Sequence, residues 1–284
     1  IDSEDPENLD MPFWVTAHEM GHQWWPHQVS GGSVKGANFM SEGISEYSAI
    51  SLLARERGDK QLRKFLKYEL DKYLDGRSFD SKEPPIISTE GNEQYIVYNK
   101  AGHTLYAMSD IIGTDRFNRG LGKFIDRYRY KYDPYPNIGQ FISTIREETP
   151  EDLQYLITDT FEKITLYENK AKEAIAFENP DGTYTVDLKV EAKKVYSDSL
   201  GVQTTAELAD WLEIGVFGED IKDEEKVPIY IEKVFITDSI STFEIKLDKK
   251  PFKAGIDPLY KFLDRDSKDN LIKVSFDESH SDDN

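Results

Sequence analysis

The sequence contains no cysteine. Disulfides and thiolate metal sites are therefore excluded, and a bound metal must be held by His, Asp or Glu. Positive charge is scarce: 35 Lys and Arg face 54 Asp and Glu, a formal net charge of −19. That sign argues against a nucleic-acid partner, whose phosphates would be repelled, and against electrostatic docking on anionic lipid. No apolar run approaches the ~20 residues that span a bilayer, and no signal peptide is visible. The first residue is Ile1 rather than Met. We therefore expect a soluble piece of a longer protein, with any targeting elements outside it.

The 284 residues suffice for one large or two ordinary domains. Their texture changes part-way. Residues 11 to 168 carry apolar residues at helical spacing, as in FMSEGISEYSAISLLARERG, where Gly58 suits a helix end. KQLRKFLKYELDKYL, NKAGHTLYAMSDIIG, DRFNRGLGKFIDRY and EDLQYLITDTFEKI repeat that texture, and Pro150 in TPEDL suits a helix start. DGRSFDSKEPPIISTEGNEQ (Asp75–Gln94) reads as a long polar loop of the kind that is often functional. Beyond Asn169 the pattern alternates, as in GTYTVDLKVEAKKVYS, DWLEIGVFG, VPIYIEKVFIT, STFEIKLDKK and NLIKVSFDE, with turn residues such as NPDG between. The expected organisation is α+β and multidomain: a helical region at 1–168, an antiparallel β-sandwich at 169–277, and a disordered tail at 278–284.

The stretch VTAHEMGHQWW places His18, Glu19 and His22 in an HExxH pattern. On a helix, residues four apart lie ~40° apart around the axis and ~6 Å along it. His18 and His22 thus face the same way and can share one cation. Glu19 is poorly placed as a ligand to the same ion and suits a base acting on water. A catalytic zinc keeps three protein ligands and one open position. Glu42, at the start of SEGISEY, is the natural third ligand. Glu46 lies one turn further on the same face and could fix a ligating imidazole by a hydrogen bond. Neutral imidazoles with a carboxylate suit one zinc ion per chain, which would acidify water and polarise a carbonyl. Glu19 would take the proton of that water and pass it to the leaving amine.

HEMGHQWW, SEGISEY and YNKAGHTLYAM together resemble the gluzincin zinc aminopeptidases of the aminopeptidase N family. The resemblance spans nearly the whole chain. It implies a thermolysin-like catalytic region truncated at its N-terminus, with zinc on His18, His22 and Glu42. It further implies Glu19 as general base and Tyr98 as the donor to the developing oxyanion, with Lys100 matching the family's Y-x-K spacing. HQWWPHQVSGGSVKGANFMSEGISEYSAI and KAGIDPLYKFLDRDSKDN are similar to a bacterial branch fused behind an ABC-transporter-type permease. The implied parent is a bacterial protein, tethered to a membrane through an absent N-terminal part that includes a permease and a β-domain.

Three features depart from the family's pattern. Gln23 to Ser41 is a 19-residue spacer, one longer than is common in the family. Ser41 stands where the family usually has Asn. The G-x-M-E-N motif, whose Glu holds the substrate α-amine, does not occur in the chain. His27 and His103 read as structural, and Trp24 and Trp25 as packing for the HExxH helix. The expected activity is peptide hydrolysis at the amino terminus. An endopeptidase using the same site, and a non-catalytic binding or assembly module with an incomplete zinc site, are the alternatives.

Overall fold

The computed structural model describes residues 9–218 and 227–277. The tail expected at 278–284 lies outside the described residues. The chain divides into two compact units. One comprises the residues up to Thr165 together with Tyr196–Thr204, and the other comprises Leu166–Val195 and the residues from Thr205 onward.

The first unit is helical. Helix α1 is Met11–Gly21, α2 Ile44–Phe79, α3 Ala101–Ile112, α4 Thr114–Tyr128, α5 Ile138–Arg146 and α6 the single turn Tyr155–Ile157. Two wide π turns stand at the entrances of α2 and α3, at Phe39–Gly43 and Tyr95–Lys100. A third, Thr158–Glu162, follows α6. Helix α2 is broken at Gly58, whose φ of 74° and ψ of −176° lie outside helical geometry. A residue with a Cβ would be strained there, so the sequence's stop signal produces a kink and the helix resumes. Because α2 runs on to Phe79, the polar loop begins at Asp80 rather than Asp75. The helix expected after Pro150 is instead a 3₁₀ turn, Glu151–Leu153, followed by α6 and the third π turn.

Local signals explain the regular parts. Asn137 and Gln140 form a reciprocal capping box at the start of α5, at 3.2 and 2.9 Å. On α4, Phe117, Gly120, Leu121 and Phe124 form one buried stripe at helical spacing. The core is aromatic: Phe39, Phe124, Phe141 and Phe161 interlock with ring centroids 5.3 to 6.1 Å apart. Burying each such side chain is worth roughly 1.5–3 kcal/mol. Phe39 opens the first π turn, so this cluster fixes the backbone three residues before Glu42.

The second unit is built on two four-stranded sheets, β10-β9-β6-β7 and β11-β2-β3-β8. The strands are β2 Lys170–Glu178, β3 Tyr184–Glu191, β6 Asp210–Gly218, β7 Tyr230–Ile236, β8 Ile240–Leu247, β9 Pro251–Ile256, β10 Leu271–Lys273 and β11 Ser275–Phe276. Three short strands, β1 Ile164–Tyr167, β4 Lys194–Ser197 and β5 Gln203–Thr205, form a third sheet. Alternation sends Val186, Leu188 and Val190 inward from β3 and Leu212, Ile214 and Val216 inward from β6. The NPDG turn joins β2 to β3, with Gly182 at a φ of 83° and its amide donating to the Asn179 carbonyl.

The expectation of wholly antiparallel strands needs one correction, because β11 pairs with β2 in parallel. Only Val274 separates β11 from β10, so the chain keeps its direction while passing from β9's sheet to β2's.

Candidate metal centre

Three segments of the helical unit supply the site: α1, the start of α2 with its π turn, and the π turn before α3. His18 projects from α1 and His22 from the residue that caps its C-terminus, still in helical backbone, so the two face the same way as their spacing requires. His18 Nε2 lies 3.3 Å and His22 Nε2 3.4 Å from Glu42 Oε2. One donor atom from each of the three residues falls within 4.8 Å of the others. Among the described residues this is the one group of three or more His and carboxylate side chains close enough to hold a cation.

The ring nitrogens facing away are already engaged. His22 Nδ1 lies 2.5 Å from the Trp25 carbonyl and 3.1 Å from Ser45 Oγ. His18 Nδ1 shares a 2.9 Å hydrogen bond with Glu46 Oε2. The Trp14 indole donates to Glu46 Oε1 at 2.6 Å, so both Glu46 oxygens are occupied and its side chain is fully buried. Behind Glu46 stands Glu69, also buried, whose Oε2 accepts from Asn99 Nδ2 at 2.9 Å. Burial and the Glu46 charge push the Glu69 carboxyl up to about 8.

The converging side chains are polarised against one another. Burial tends to raise the Glu42 carboxyl, but hydrogen bonds from His18, Ser41 and Tyr98 outweigh it and hold the group at about 2. Burial tends to lower the His18 imidazole, yet its bonds to Glu42 and Glu46 carry it up to about 9. Ser41 Oγ donates to Glu42 Oε1 at 2.9 Å. Tyr98 stacks on the His18 ring at 5.8 Å. Burial first, then Glu42 and the other nearby carboxylates, push its phenol up, so it stays a protonated donor. Glu19 sits on the exposed side of α1, outside the triad, and contributes to the field at Tyr98.

The structure brings His18, His22, Glu42, Glu46 and Tyr98 together, with Glu19 at the rim. Sequence reasoning missed Trp14 and Ser45. Trp14 carries a faint signal, because it lies four residues before His18 on the same helix face. Ser45 carries none. Trp25 is buried and stacks on Phe124 at 6.3 Å, but Trp24 is 43% exposed and does not pack as expected. His103 is fully buried and His27 is exposed.

Residues 6–161 match the sequence model of the peptidase family M1 domain. The chain belongs to the M1 peptidase family. Two solved structures are similar to it in part. One is aminopeptidase A of Legionella pneumophila in complex with aspartic acid, with 16% identity over 94% of this chain and 27% of that one, at a TM-score of 0.49. The other is an M1 zinc metallopeptidase from Deinococcus radiodurans, a mutant bound to a Tyr-Ser-Ala substrate, with 16% identity over 52% of this chain and 32% of that one, at a TM-score of 0.42. The chain thus spans about a third or less of the length of these structures. No curated protein matches the sequence.

M1 membership implies zinc, and the donor set fits it. Two imidazole nitrogens and one carboxylate oxygen converge, and the outer nitrogen of each imidazole is held from behind.

Proposed function

We propose that this chain carries the zinc-binding and proton-transferring machinery of an M1 aminopeptidase. His18, His22 and Glu42 hold the ion. When bound, zinc supplies Lewis acidity, acidifying water and polarising a carbonyl. Glu19 removes the proton of the attacking water and delivers it to the leaving amine. Its exposure at the rim suits that role, because the carboxylate must reach a substrate rather than a packed core. Tyr98 donates from its hydroxyl to the developing oxyanion. Glu46 and the Trp25 carbonyl keep the two imidazoles turned toward the ion. The observation that carries this reading is the convergence of His18 Nε2, His22 Nε2 and Glu42 Oε2, with Tyr98 stacked beside them.

Specificity for the amino terminus comes from the family resemblance. The two facing sheets support a sandwich reading of the second unit, for which no chemistry is proposed. The proposed parent is membrane-tethered through a permease. No described helix is long and apolar enough to cross a membrane, so a tether of that kind would come from elsewhere in the parent.

The test is hydrolysis, with zinc supplied, of two peptides that differ only in a free or acetylated amino terminus. Cleavage of the free-amine peptide alone is expected, and cleavage of both would make the enzyme an endopeptidase. Glu19→Gln should retain zinc and lose turnover by at least about a hundredfold. Undiminished turnover in that variant would remove Glu19 from the mechanism.

A further inference from the structure

Tyr98 lies in a wide π turn, and the two residues that follow it are both tied to buried carboxylates. Asn99 donates to Glu69. Lys100, with a side chain only 1% exposed, donates from Nζ to Glu83 Oε1 at 2.7 Å. Glu83 belongs to the loop after α2 and is itself buried. Three other groups hold it: the Tyr73 hydroxyl donates to Oε1 at 2.7 Å, Arg77 Nε to Oε2 at 2.5 Å, and the Glu83 amide to the Ser199 carbonyl at 2.9 Å. Lys100 Nζ also stands 5.2 Å from the centre of the Tyr73 ring.

This arrangement calls for a reason. A buried ion pair is a poor source of stability, because desolvation of both charges offsets their attraction; an apolar pair of the same volume does as well or better. What such a pair does supply is a fixed point. The loop that carries Glu83 reaches further. The Thr89 carbonyl accepts from the Gly36 amide at 2.8 Å, and Asn38 Nδ2 donates to the Gly91 carbonyl at 3.2 Å. The same loop is therefore tied to the segment that leads into the Glu42 turn and, through Lys100, to the Tyr98 turn.

We propose that the buried Lys100–Glu83 pair is a positioning device that fixes the Tyr98 hydroxyl at the metal centre, making both residues determinants of turnover. The inference rests on the reading of Tyr98 as the oxyanion donor. Neither Lys100 nor Glu83 touches the reacting atoms in this scheme. Their effect passes through the backbone of Tyr95–Lys100.

The test uses Lys100→Met, Glu83→Gln, Tyr98→Phe and the double variant Lys100→Met/Tyr98→Phe of the full chain, each with zinc bound. Glu83→Gln keeps the side chain's shape and serves where Lys100→Met folds poorly. Each of the first two should lower kcat by about 10- to 100-fold while KM stays within about threefold. In the Tyr98→Phe background, Lys100→Met should cost less than about a further twofold, because the group it positions is gone. Multiplicative losses in that cycle would show a merely structural role and overturn the proposal.

Amide hydrogen exchange gives a readout independent of turnover. Exchange across residues 95–100 should rise by about tenfold or more in Lys100→Met, with that of α1 unchanged. Unaltered exchange in the turn would also overturn the proposal. If the unsubstituted chain hydrolyses no peptide with zinc bound, the reading of this chain as active by itself fails. The exchange result then decides alone whether the pair fixes the turn.

Discussion

His22 has one ring nitrogen whose role is forced. The Trp25 carbonyl can only accept, so Nδ1 must carry a hydrogen, and Nε2 is the nitrogen turned toward Glu42. The Nδ1 partner of His18 is instead a carboxylate that burial pushes up and that shares a proton with the ring. Around neutral pH the His18, Glu42 and Glu46 cluster therefore holds a proton that a metal ion must displace. Zinc affinity should therefore rise with pH, by up to about tenfold per unit, until His18 loses its proton near pH 9. Calorimetric titration at pH 7 in buffers of different ionisation heat should show about one proton released per zinc; release of none would mean that the triad is already deprotonated. At this scale much of the candidate site was legible. HExxH spacing is fixed by helix geometry, and Glu42 and Glu46 follow from SEGISE. Trp14, Ser45 and Glu83 were hidden because their partners lie 20 or more residues away, or, for Glu83, across a loop turn and a helix entrance.

Between elements, the decisive feature is how closely α2 and α3 cross. Gly102 lies against Glu46: a Cβ there would fall 2.3 Å from Glu46 Cγ and 2.9 Å from its Cβ. Glu46 has no room to withdraw, because it is fully buried and held by Trp14 and His18. Gly102→Ala should therefore displace Glu46, loosen the His18 ring and lower zinc affinity by about 10- to 100-fold. Overpacking should also destabilise the fold by roughly 1–3 kcal/mol. Competition against a chromophoric chelator measures the first effect, and an unchanged affinity would mean that Glu46 does not orient His18. The helices themselves were readable from period and caps, but their π entrances were not. Those arise where the chain must aim Glu42 and Tyr98, and local propensity does not encode that demand.

Across the whole chain, the change from helical to alternating texture was visible, but the partition was not simple. Tyr196–Thr204 groups with the helical unit although it follows two strands of the other. Strand β2 escaped notice because KAKEAIAFE has the composition of a helix; pairing with β3 along its length overrides that preference. The same burial that holds the second unit together also encloses acids. Asp257 is fully buried, with a φ of 46°, and accepts from the Lys261 and Phe262 amides at 2.7 and 3.2 Å. Burial, reinforced by Asp264 and Glu213, pushes its carboxyl up to about 8 against those amides, and Asp264 is pushed up to about 6. In the unfolded chain Asp257 ionises near 3.8, so between there and about 8 the folded state binds the extra proton. Its stabilising contribution is complete below the unfolded value and is lost as pH rises through the folded one. Stability of the unit should consequently decline from pH 5 to pH 8. Asp257→Asn tolerates the same left-handed backbone and cannot ionise, so it should flatten that decline even if it lowers stability overall. Urea unfolding of both proteins at the two pH values gives the comparison. Equal declines would locate the pH dependence elsewhere: in Asp264, in Glu69, or in the charge repulsion that a net −19 imposes on the folded chain as a whole.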